Sequence, residues 1–108
     1  PNEVGGNETT PPHAVHDQMK ALLNSYHSKE KKTLEDILDF HHRFEIIHPF
    51  QDGNGRVGRL IMFKECLAND IVPFIIGDDI KFFYYRGLQE WGKVNEYLMD
   101  TCLSAQDN

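Results

Sequence analysis

Two cysteines, Cys66 and Cys102, are all the thiols the chain has. Neither belongs to a C-x-x-C pair and neither has a histidine at ligand spacing, which argues against a disulfide framework and against a structural zinc site. Long apolar runs are missing as well. Nothing approaches the roughly 20 residues that span a bilayer, and PNEVGGNETT at the start has neither the charged n-region nor the apolar h-region of a signal peptide. No membrane association is expected, and reduced thiols suit a cytoplasmic protein. Positive charge is scarce too: 11 Lys+Arg stand against 17 Asp+Glu, for a formal charge of -6. Nucleic-acid-binding domains usually carry a basic face, so nucleic acid is not an expected partner. The sequon Asn7-Glu8-Thr9 would accept glycan only in a secretory setting and is read as chance.

What is present is one core's worth of apolar residues in helical register. The 108 residues are 40% hydrophobic, enough for a single domain over residues 1–108. Val15, Met19, Leu22, Leu23 and Tyr26 form one stripe of a helix reached through Pro11-Pro12. The polar stretch from Ser25 to Lys32 reads as a connection. Thr33 then stands as an N-cap with Asp36 three positions on, and Leu34, Ile37, Leu38, His41, Phe44, Glu45 and His48 follow at helical spacing until Pro49. A third, well-buried helix is expected through Val57, Leu60, Ile61, Cys66 and Leu67, ending near Asn69-Asp70. A fourth, capped by Asp78 and Asp79, should run from Ile80 to about Trp91, and a fifth from Val94 to Ser104. Residues 1–12 read differently: Gly5-Gly6 between polar and β-branched residues suggest a small hairpin or flap. The fold expected is an all-α bundle with a β-hairpin flap at its N-terminal end.

Residues 48–59, HPFQDGNGRVGR, concentrate the chemistry. They lie between two helices, with glycines at the start of the second. The first amides of a helix have no internal partner and sit at its positive end, so Gly53, Asn54 and Gly55 can present N–H groups to an anion. Arg56 and Arg59, at i and i+3, share a helix face above that site and could hold further phosphates. Asp52 would repel a phosphate unless a cation sat between them, which makes it a candidate Mg²⁺ ligand. His48 can take a proton at neutral pH. Other readings of the same letters fit poorly. Gly53-x-Gly55-x-x-Gly58 satisfies the dinucleotide fingerprint, but a helix precedes it where a β-strand is required. No Gly-Lys-Ser/Thr follows to make a Walker A loop. Glu45-x-x-His48 has di-iron spacing without the second copy that such bundles need.

His48-Pro-Phe-x-Asp-Gly-Asn-Gly-Arg-x-x-Arg59 resembles, position for position, the signature of Fic (filamentation induced by cAMP) domains, whose members move AMP from ATP onto a protein hydroxyl. VGGNETTPP resembles the family's target-binding flap, His41-x-x-Phe44-Glu45-x-Ile47 its helix before the motif, and Tyr84-Tyr85 a recurring aromatic position. The resemblance implies His48 as general base and Asp52 as holder of Mg²⁺. It implies the amides of Gly53, Asn54 and Gly55 as an anion hole, with the Asn54 side chain on the α-phosphate. Arg56 would face the β-phosphate and Arg59 the γ-phosphate. Phe50 would anchor the loop in the core, and Gly5, Gly6, Asn7, Glu8, Thr9 and Thr10 would form the flap that aligns an extended target segment. Gly55 favours AMP transfer, because relatives with lysine there look like phosphate-transferring toxins.

Two departures from the family pattern matter. Family members usually have a further helix or two before the flap, so this chain resembles a trimmed version. The inhibitory pattern [ST]-x-x-x-E-[GN] is absent, so a glutamate opposing Arg59 would come from an inhibitory helix outside these residues or from an antitoxin-like chain. De-AMPylation, transfer of another phosphate-containing group, and a non-catalytic helical nucleotide-binding module are the alternatives. For the other histidines the plain reading holds: His13, His16 and His27 belong in solvent, and His41 and His42 are hydrogen-bonded helix histidines. Phe82, Phe83, Tyr84, Tyr85 and Trp91 read as core or as an interface that would suit a homodimer.

Overall fold

A computed structural model describes residues 3, 4 and 7–107. Five α-helices dominate: α1 (Val15–His27), α2 (Leu34–Ile47), α3 (Asn54–Ala68), α4 (Lys81–Glu90) and α5 (Glu96–Gln106). The fold is all-α. Among the described residues the extended structure is a two-rung ladder, β1 (Glu3–Val4) with β2 (Asn7–Glu8), antiparallel with Glu3 opposite Glu8. Two rungs fall short of the flap the sequence suggests, and Gly5 and Gly6 lie outside the described residues.

Helix boundaries follow local chemistry. α2 begins with a complete capping box: Asp36 N–H donates to the Thr33 hydroxyl at 3.2 Å, and Thr33 N–H donates to the Asp36 carboxylate at 2.9 Å. It ends at His48, in the left-handed region at φ 54°, ψ 60°, and α3 starts from Gly53 at φ 81°. Both left-handed residues thus flank the loop of interest. Asp78 and Asp79 do not cap a helix by side chain as expected; with Ile80 they form a 3-10 turn leading into α4. The buried face of α3 also differs from expectation. It runs Asn54, Gly58, Met62, Cys66 at four-residue intervals, whereas Leu60 and Leu67 are exposed. The i+4 row that faces α2 begins with a small polar and a glycine residue, which apolar counting overlooks.

α2 is the central element, with buried residues on two sides. Ile37 and Leu38 join one cluster with Met62, Tyr84, Leu88 and Leu98; Phe40, Phe44 and Ile47 join another with Leu22. α1 and α3 pack on α2, and α4 packs on α5. Polar ties cross these layers: Tyr26 hydroxyl to Glu65 at 2.7 Å and Trp91 Nε1 to Asp39 at 2.9 Å. The aromatic group of α4 divides accordingly. Tyr84 and Trp91 are core, whereas Phe82, Phe83 and Tyr85 face outward. Both cysteines are buried and unpaired, and no helix among the described residues is long and apolar enough to cross a membrane.

Candidate active site

The loop between α2 and α3 is closed by the Asn54 side chain on the Phe50 backbone. Phe50 N–H donates to Asn54 Oδ1 at 2.9 Å, and Asn54 Nδ2 donates to the Phe50 carbonyl at 2.6 Å. This pair of bonds closes the five residues from Phe50 to Asn54 into a ring. The Asn54 side chain is buried and engaged within the loop. One expectation is corrected: Phe50 does not sink into the core, being 50% exposed with its ring leaning on Phe44. The loop is anchored through the Phe50 backbone rather than through its ring.

His48 sits at the hinge where α2 stops. Its N–H still donates to the Phe44 carbonyl at 3.0 Å, while the left-handed turn swings the side chain off the helix axis. Such a conformation costs a non-glycine residue about 1 kcal/mol or more and is concentrated at functional sites. The half-buried imidazole lines a cavity of about 380 Å³ with Thr9, Thr10, Pro12 and Phe50. Thr10 N–H donates to the Ile46 carbonyl at 2.8 Å, which ties the segment before α1 to the end of α2. Thr9 is buried and Glu8 exposed.

Across the loop the amide end of α3 carries both guanidinium groups. Arg56 Nη2 lies 3.4 Å from where a Cβ on Gly53 would stand, and Arg59 Nη1 lies 3.0 Å from where one on Gly55 would stand. A Cβ at Gly53 would be in ordinary contact with Arg56, whereas one at Gly55 would press on the Arg59 guanidinium by a few tenths of an ångström. Asp52 is exposed one residue ahead of this end, and no ion pair engages it among the described residues. A lone exposed carboxylate fits the pattern of a Mg²⁺ ligand, because that ion takes one or two carboxylates and otherwise water and substrate oxygens. It does not suit a protein-enclosed metal, and no cluster of three metal-binding side chains occurs among the described residues.

Behind the loop lies a group the motif alone does not reveal. His41 is fully buried and bonded through Nε2 to the Tyr84 hydroxyl at 2.5 Å. Glu45, 4% exposed, points its Oε1 to within 4.0 Å of the His41 ring and makes no hydrogen bond with it. A Cβ at Gly58 would stand 2.5 Å from that oxygen. Burial pushes the Glu45 carboxyl up to about 6, against the pull of Arg59. Burial likewise pushes His41 down to about 4, and raises the Tyr84 phenol. His41 is a hydrogen-bonded helix histidine, as its sequence context suggests, and its partner is Tyr84. The signal in the sequence was Gly58, a glycine on a buried helix face opposite a glutamate.

These shifts carry opposite pH signatures. The folded Glu45 value exceeds the 4.5 of a free carboxyl, so its contribution is favourable below about pH 4.5 and is lost as pH rises through about 6. His41, depressed from 6.5, contributes above pH 6.5 and loses that contribution as pH falls through about 4. Glu45→Gln should therefore stabilise the fold by about 1–2 kcal/mol at pH 7.5, with the gain vanishing near pH 4.5. Urea melts at the two pH values check this; an equal gain at both would mean that ionisation of Glu45 is not the cause.

The Fic/DOC family profile matches residues 2–66 of the chain. A probable protein adenylyltransferase of Aquifex aeolicus is 40% identical over 65 residues, covering 57% of this chain and 20% of its own. A protein adenylyltransferase of Caenorhabditis elegans is 27% identical over 88 residues, 79% of this chain and 17% of its own. One from Nematostella vectensis is 34% identical over 83 residues, 73% and 19% respectively. The chain spans about a fifth of the length of these curated relatives. The family match covers more than half of the chain and takes in all of His48–Arg59, the stretch whose left-handed hinges, ring of hydrogen bonds and paired arginines have just been described: the chain belongs to the Fic/DOC family.

Proposed function

We propose that this chain carries the nucleotidyl-transfer site of a protein adenylyltransferase, moving AMP from ATP to a Ser, Thr or Tyr hydroxyl of a target protein. The observation that carries this reading is the pair of guanidiniums lying against Gly53 and Gly55 at the start of α3, with His48 at the other end of the same closed loop. The amides of Gly53, Asn54 and Gly55 cradle the α-phosphate, Arg56 faces the β-phosphate and Arg59 the γ-phosphate. Asp52 would hold Mg²⁺, whose charge would offset that of the phosphates. His48 accepts the proton of the target hydroxyl as its oxygen bonds to the α-phosphorus. The bond to the bridging oxygen breaks, and pyrophosphate leaves on the arginine side. Thr9 and Thr10 border the cavity beside His48, and a target segment entering there would meet the extended residues before α1.

Gly55 supports AMP over other groups: any side chain there would crowd the Arg59 guanidinium, so the γ-phosphate end of ATP keeps its partner. Target identity, an inhibitory helix or antitoxin-like chain acting on Arg59, and homodimerisation through the exposed aromatics of α4 remain properties of the whole protein to be tested. Two buried, unpaired thiols suit the cytoplasm. The decisive experiment supplies ATP labelled at the α- or the γ-phosphorus with Mg²⁺ and a cell lysate. Protein labelled from the α position alone supports AMP transfer. Label from γ would mean phosphate transfer, and binding of Mg·ATP without label from either would favour a non-catalytic nucleotide-binding module.

A further inference from the structure

Glu45 poses a physical problem. A carboxylate 4% exposed, with one oxygen unbonded, destabilises the fold when ionised, and glutamine or methionine would fill the space without that penalty. The groups facing it are few. On its own helix there is His41, which burial keeps neutral; from α4 comes the Tyr84 hydroxyl, also neutral; from α3 come the Gly58 backbone and Arg59. Arg59 is thus the cation available to Glu45. Its guanidinium lies against Gly55, three residues and so one turn before Gly58 on the face of α3 that Glu45 meets, and it pulls the Glu45 carboxyl down against the effect of burial. Glycine at position 58, immediately before it, lets the carboxylate reach the face of α3 from which Arg59 emerges.

We propose that Glu45 is a positioning residue for Arg59: its buried carboxylate is the internal counter-charge that holds the guanidinium over the amide end of α3, set for the outermost phosphate of the nucleotide. The proposal rests on the reading of Arg59 as the γ-phosphate contact. Low dielectric around Glu45 makes an attraction effective without a contact ion pair, and an oriented arginine loses less freedom when phosphate arrives. The residue is therefore retained for the site at the expense of stability, the trade expected where a site needs a buried charge.

The test compares Mg·ATP with Mg·ADP, which lacks the γ-phosphate, by titration calorimetry on the full chain. Glu45→Gln is expected to weaken Mg·ATP about tenfold and Mg·ADP less than about twofold, one factor of ten corresponding to about 1.4 kcal/mol. Arg59→Ala should show the same selectivity, and the double variant should bind Mg·ATP no more than about twofold more weakly than Arg59→Ala. Selective loss in Arg59→Ala with unselective or additive loss in Glu45→Gln overturns the proposal alone. Equal loss of both nucleotides in Arg59→Ala overturns the phosphate assignment and the proposal with it. Wild type gives a second readout that needs no variant. Its preference for Mg·ATP over Mg·ADP should fall between pH 7.5 and 5.5 more steeply than that of Glu45→Gln, the protonation of the nucleotide being common to both and cancelling. Parallel pH profiles overturn the proposal.

Discussion

His48→Ala is expected to lower AMP transfer by about 10²–10⁴-fold, the range over which a positioned general base acts, and to leave Mg·ATP affinity within about twofold. The separation follows from where the residue sits. The amides and arginines proposed to hold the phosphates lie at and after the start of α3, whereas His48 belongs to the end of α2, across a loop closed independently by Asn54 and the Phe50 backbone. Removing the imidazole takes away the proton acceptor and leaves the cradle. Alanine is poorly suited to φ 54°, so strain at the hinge could imitate a chemical defect. His48→Asn separates the two, because asparagine tolerates the left-handed region but is no base. Transfer lost equally in both variants, with calorimetric affinity intact, assigns the proton to His48. Transfer retained in His48→Asn would assign the residue to the hinge alone.

The largest effect on stability is expected at Gly87. A Cβ there would stand 2.7 Å from Leu98 Cα and 2.9 Å from Leu98 N. These are backbone atoms of α5, which no rotamer change can move aside, so the helix pair must separate. Alanine should gain about 1 kcal/mol in helix propensity and lose more to overpacking. A net loss of about 3 kcal/mol is expected, lowering Tm by roughly 15 °C for a domain of this size. Gly92→Ala is the informative contrast. No atom lies within 4 Å of its Cβ, but φ is 98°, so only conformational strain of about 1 kcal/mol is expected. Thermal melts of both check the two causes separately. Equal shifts would mean that the α4–α5 approach is looser than the distances indicate.

Periodicity and punctuation placed the helices well. Pro11-Pro12 before α1, the Thr33/Asp36 pair before α2, Pro49 after it and the Gly-rich run before α3 are local signals, and each boundary lies within three residues of its signal. The flap was less legible, with a two-rung ladder in its place and its glycines outside the described residues. Burial was the weakest reading. Leu60 and Leu67 are as apolar as core residues, yet they are exposed, because a helix of mixed composition has more than one plausible inner face; Phe50, in the loop, is exposed as well.

The functional residues divide along the same line. His48, Asp52, the glycine amides, Arg56 and Arg59 are contiguous, and contiguity is what a sequence displays; their chemistry depends on one loop and one helix turn, so the residue types and spacing determined it. Which side chains are committed was decided by the fold. The Asn54 carboxamide closes the loop, His41 belongs to Tyr84 43 residues away, and Glu45 reaches the back of α3 only because Gly58 has no Cβ. Those relations join α2 to α3 and α4. They arise from the packing of separate helices, where burial changes the charge state of a group and one missing methyl sets how closely two backbones approach.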